Sequence, residues 1–121
     1  MSRVLLVSDE RRLREQLAGA IASGPHTVRA VAAGDLRVEA ARDWEPDVIV
    51  MDLSPDGAAL QLRIGMLRDP DLAHVPFVVV GDSEDEARAL GAHAFVRVPV
   101  PIAGLLDLIA RFAAARMPLP T

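Results

Sequence analysis

The chain has 121 residues, one domain by the usual length prior, and 51% of them are hydrophobic, enough to build a core. With 17 acids against 13 bases the net charge is −4, which argues against a nucleic-acid-binding patch, and no apolar run approaches the length of a bilayer span. There is no cysteine, so disulfides and thiolate chemistry are excluded; all 13 bases are arginine, so chemistry that needs a lysine ammonium is out of reach.

The opening stretch MSRVLLVSDE has one arginine and a short apolar run before its acids, the pattern of a first strand (Arg3–Val7) rather than a signal peptide. Leu13, Leu17, Ala20 and Ile21 follow at helical spacing. Thr27–Val31 reads as a second strand and Asp35–Trp44 as a weaker helix, stopped before Pro46. Asp47–Met51 is a third strand that runs four apolar residues into Asp52, and Gly57–Arg68 is another weaker helix, followed by Pro70 and Pro76. Phe77–Val80 and Ala94–Val98 are the last strands. Only DSEDEARAL lies between Gly81 and Gly91, so a fourth helix is short or missing. Ile102, Leu105, Leu106, Ile109 and Phe112 predict the final helix. The domain is expected over residues 1–116, with MPLPT (117–121) a disordered tail or the start of a linker.

Five Val-rich strands alternating with helices point to an α/β domain, a parallel sheet with helices on both faces. Ligands of such sheets bind beyond the carboxyl ends of the strands. Those ends carry Ser8, Asp9 and Glu10 after the first strand and Asp52 after the third. Gly81, Asp82 and Ser83 follow the fourth, and Val98-Pro99 closes the fifth. Asp9, Glu10 and Asp52 would form a carboxylate cluster, whose natural companion is a hard divalent cation such as Mg²⁺. Asp9 has a second reading, as the cap of the first helix; Asp52, at a strand end, has no capping role. His26, His74 and His93 are too scattered for a metal site and pair with no nucleophile motif. Trp44 reads as packing or as part of an interface, and no Gly-rich phosphate loop is present.

The segments VLLVSDE, PDVIVMDL, DPDLAHVPFVVVG and GAHAFVRVPV, in order from Val4 to about Phe112, resemble the successive signatures of a bacterial response-regulator receiver domain. The resemblance implies a flavodoxin-like fold of five β/α units in which an aspartate accepts a phosphoryl group from a histidine kinase. Its phosphoacceptor falls on Asp52 and its metal-binding acid pair on Ser8 and Asp9, so one carboxylate has become a hydroxyl. The Ser/Thr that contacts the phosphoryl group falls on Gly81, the Lys before the Pro after the fifth strand on Val98, and the switch aromatic on Phe95. Ser54 falls where a backbone carbonyl helps to hold Mg²⁺, in a turn shortened to DLSPDG.

Losing the lysine and the hydroxyl removes the positive charge and the sensor group that phosphoryl transfer and switching rely on. Arg97 adjoins Val98 but should face the other side of the sheet; Ser83 lies two residues beyond Gly81. The reading is an atypical, degenerate receiver (a pseudo-receiver) acting through protein contacts, not an enzyme, with metal binding at Asp9, Glu10 and Asp52 weak or lost. One alternative is a receiver that still takes phosphate on Asp52 with Mg²⁺; another is a flavodoxin-like module for a small ligand or cation. The expected partner is a signalling protein or output domain, with a histidine kinase in the phosphoaccepting case and a homodimer as a further option. Neither nucleic acid nor membrane is expected, and a cytoplasmic compartment is expected.

Overall fold

A computed structural model describes residues 2–53 and 57–116. Five strands, β1 (Ser2–Val7), β2 (His26–Val31), β3 (Val48–Asp52), β4 (Phe77–Gly81) and β5 (Ala94–Arg97), form one sheet in the order β2-β1-β3-β4-β5. Every pairing is parallel. The helices are α1 (Arg11–Ala22), α2 (Val38–Trp44), α3 (Ala58–Leu67), α4 (Glu84–Ala89) and α5 (Ile102–Arg116). This is the flavodoxin-like receiver architecture, and its strand order reverses between β1 and β3.

The continuous apolar runs are explained by burial on both faces, as expected for parallel strands. Alternation then sorts the side chains. Leu5, Val7, Ile49, Met51, Phe77 and Val79 face a core completed by Ala41, Ala59, Leu62, Met66 and Ala87 of α2, α3 and α4. Val4, Leu6, Val48, Val50, Val78, Val80 and Val96 face the opposite core, closed by Leu17 and Ile21 of α1 and Leu105, Ile109 and Ala113 of α5. At α2 and α3 the packing is close: the Val38 side chain seats on Gly65, where a Cβ would lie 2.7 Å from Val38 Cγ2.

Element boundaries follow local chemistry. The helix expected over Asp35–Trp44 is split, because Ala33–Asp35 forms a 3-10 turn and Leu36 and Arg37 are extended before α2 begins. The tie that holds the turn is long-range: the Ala33 N–H donates to Asp9 Oδ1 at 2.8 Å. The fourth helix is present and short, six residues capped by Ser83, whose Oγ accepts from the Glu86 N–H at 3.3 Å. Gly57 precedes α3 in the left-handed region (φ 84°), where glycine costs least. The predicted tail lies outside the described residues, as do Ser54, Pro55 and Asp56.

Beneath α4 sits an unexpected cation. Arg63 on α3 is only 1% exposed, its guanidinium lies 3.7 Å from the centre of the Phe77 ring, and its Nε donates to the Leu90 carbonyl at 3.0 Å. Its Nη1 has no hydrogen-bond partner among the described residues. Burial pushes the guanidinium pKa down to about 10.

Candidate functional site

The sheet register assembles the site. Val7 pairs with Met51, so the next residues, Ser8 and Asp52, stand side by side at the carboxyl edge, at the point where strand order reverses. Ser8 is fully buried and its Oγ donates to Asp52 Oδ2 at 3.1 Å. Arg14 of α1 reaches back and donates to the Ser8 carbonyl at 2.7 Å, tying the end of β1 to the helix that follows. The Asp52 carboxyl is pushed up from its ordinary value, first by burial and then by the charges of Asp9, Glu10 and Asp82; the Ser8 hydrogen bond opposes the rise.

The other acids are held by the protein itself. Glu10 is the N-cap of α1 and accepts from the Arg12 N–H at 3.2 Å and the Leu13 N–H at 2.6 Å. The cap of this helix is therefore Glu10, not Asp9, for which capping was the alternative reading. Asp9 accepts from Ala33 and so fastens the β1 end to the loop after β2. Among the described residues no three acids or histidines are grouped so as to hold a metal ion. As arranged, both Glu10 oxygens cap α1 and Asp52 Oδ2 takes the Ser8 hydroxyl. Ser54, the remaining residue expected near such an ion, lies outside the described residues.

On the far side of Asp52, the positions expected to bear a hydroxyl and an ammonium carry neither. Asp52 pairs with Val80, which brings Gly81 to the same edge. In β5, Val96 packs into the α1–α5 core, and alternation directs Val98 to that same side, the side of Asp52. Val98 is 39% exposed, its N–H donates to the Gly81 carbonyl at 2.9 Å, and its bond to Pro99 is cis. Arg97 shares the face of Phe95: its guanidinium stands 5.4 Å from that ring's centre and Nη1 donates to the Asp82 carbonyl at 2.9 Å. The Phe95 ring turns in against Gly81, with Cε1 4.0 Å from where a Cβ would stand there.

The histidines serve elsewhere. His74 is exposed. His93 Nδ1 accepts the Phe77 N–H at 3.0 Å, pinning the start of β4. His26 Nδ1 has no partner among the described residues. Two features had no sequence signal strong enough to find them: the burial of Arg63, which an amphipathic pattern reads as a surface arginine, and the clasp of Asp9 on Ala33, which joins residues 24 apart.

No protein-family model matches the chain. The response regulator protein FleR of Pseudomonas aeruginosa is 28% identical over 122 aligned residues, 97% of this chain and 26% of FleR. The polar-differentiation response regulator DivK of Brucella ovis is 26% identical over 118, covering 90% of this chain and 94% of DivK. Chemotaxis response regulator CheY4 of Vibrio cholerae superposes with a TM-score of 0.80 at 20% identity, over 93% of this chain and 98% of that one. The fold is a receiver fold. The receiver domain of a signal transduction histidine kinase from Syntrophus aciditrophicus has the same fold, with a TM-score of 0.76 at 21% identity, over 100% and 98% of the two chains. Sequence and fold together support a two-component response-regulator receiver domain. The chain spans about a quarter of FleR and nearly all of DivK. No helix among the described residues is long and apolar enough to cross a membrane.

Proposed function

We propose that this receiver is a pseudo-receiver: a non-enzymatic cytoplasmic signalling module that works by protein contact, its shape set by packing rather than by phosphorylation of Asp52. One observation carries the reading. The position that faces Asp52 from the end of β5 is Val98, and the sequence contains no lysine to replace the missing charge. Transfer of a phosphoryl group puts negative charge on oxygens that need positioned positive charge around them. Around Asp52 the nearby charges are instead Asp9, Glu10 and Asp82. Gly81 offers no hydroxyl to follow a phosphoryl group, and Phe95 already packs against it.

A second reading has an observation of its own. Asp52 stands at the strand end, partly exposed, with Asp9 and Glu10 nearby, as a phosphoacceptor for a histidine kinase would. One experiment decides between them. The protein is incubated with acetyl phosphate, and separately with beryllofluoride, each with Mg²⁺, and followed by intact mass and by amide NMR, with Asp52→Asn as the control. The expected result is no stoichiometric adduct and no shift of the Phe95 or Gly81 signals. An adduct that the control abolishes would overturn the pseudo-receiver reading in favour of the second.

A further inference from the structure

Between α3 and α4 runs a half-open groove of about 560 Å³, lined by Leu53, Leu60, Ala89 and Leu90 with Asp82 and Glu86 on its rim. Leu60 is 40% exposed, one of the few large apolar side chains of the described residues left so open to solvent. On the α4 side, Glu86 and Ala89–Leu90 recur at helical spacing, and Asp82 lies just ahead of the Ser83 cap. This side of the groove is polarised. Its acidic end adjoins the carboxyl edge of the sheet, and its apolar end is the last turn of α4 and its C-cap Leu90. The cation of α4 is on another face: Arg88 pairs with Glu84 at 3.5 Å. Among the described residues no ion pair engages the Asp82 or Glu86 carboxylate.

From this we propose that the groove is the docking site of a partner-protein segment that is basic and apolar in alternation, with Arg or Lys on Asp82 and Glu86 and a Leu-sized side chain seated against Leu60 and Leu90. The proposal rests on the reading that the domain acts by contact, and it names where and with what chemistry. Charge decides the occupant. An acidic segment would bring like charges against Asp82 and Glu86, and like-charge juxtaposition across an interface is unfavourable. A wholly apolar segment would leave those two carboxylates facing hydrocarbon. A second copy of this chain is disfavoured for the same reason, since the net charge is −4. The half-open shape between two helices suits side chains delivered by another helix or an extended segment.

The test is an NMR titration with a synthetic helical peptide of about 12 residues, roughly three turns, bearing Leu and Arg on one face. A peptide with Glu in place of Arg is the charge control, and both are run on the wild type and on the Asp82→Arg/Glu86→Arg variant. The expected result is shifts centred on Leu60, Ala89 and Leu90, an affinity weakened on the order of tenfold by the charge reversal, and a matching gain for the Glu peptide. Leu60→Ala, chosen because the side chain is exposed and its truncation spares the core, should weaken binding as well. Shifts centred on β5 and α5, an affinity indifferent to the charge reversal, or no localised shift would each overturn the proposal. Repeating the titration with beryllofluoride separates the two failures. Binding that appears only with an Asp52 adduct retires the pseudo-receiver reading and keeps the groove; loss of binding in both states retires the groove alone.

Discussion

Asp52 concentrates the conflict in this site: an ionisable group at the end of a buried strand, with three acids nearby and a single hydroxyl donor to offset them. Because its pKa is raised on folding, the native state holds a proton more tightly than the unfolded chain does. Stability therefore falls as pH rises from the ordinary carboxylate value of 3.8 through the raised folded value, and the charged group is a cost at neutral pH. Asp52→Asn removes the charge while its amide oxygen can still accept from Ser8. The variant should melt roughly 2–4 °C higher than the wild type at pH 7, with the advantage shrinking as the pH is lowered toward 3.8. A scan of thermal unfolding against pH checks this; a variant less stable than the wild type at pH 7 would contradict it. The strand-end position of Asp52 was legible in VIVMD, since a continuous apolar run ending in an acid marks where a parallel strand meets solvent. What the run does not encode is the neighbour. Ser8 reaches Asp52 only through the β1–β3 register, which local pattern leaves undetermined.

At the scale of elements, α4 is the weakest piece on paper, too short for its own backbone bonds to carry it. Its last turn is held from below by Arg63, through the Leu90 carbonyl. A buried guanidinium without a counter-ion is costly, whereas a flexible apolar chain of similar length can fill the same space against Phe77. Arg63→Met should therefore be neutral or stabilising, by up to about 1–3 kcal/mol, in denaturant unfolding. Arg63→Ala should destabilise by about 2–4 kcal/mol, since it leaves a void beneath α4. If methionine costs as much as alanine, the hydrogen bond to Leu90 rather than the filled volume holds the helix. The shortness of α4 was legible from the nine residues between Gly81 and Gly91. The break before α2 was not, because the bond that shapes it comes from Asp9, in another element.

For the molecule as a whole, one sheet separates two cores, and each strand contributes to both by alternation. That arrangement explains why the fold could be read almost complete from the chain: five Val-rich runs with helical segments between them admit few other solutions. It also explains why the site could be read only in part. The identities at strand ends are visible in the sequence, and the reading of Ser8, Gly81 and Val98 as departures from the receiver pattern comes from them. The pairing of those ends with loops and helix caps depends on distances that only the folded sheet fixes.

The sheet also has two ends, and Trp44 marks the one away from Asp52. It closes α2 just before β3 begins, its carbonyl accepts from Arg3 Nη1 at 2.8 Å, and its ring packs partly against the α2–α4 core. Since the sequence holds one tryptophan and no tyrosine, the protein carries a single natural fluorophore. Its emission should change sharply when the core opens in urea and stay constant when Asp52 titrates or is replaced by Asn. A fluorescence change on that replacement would reveal a connection along β3 between the two ends; a silent probe makes Trp44 a clean monitor of folding, blind to the acidic edge.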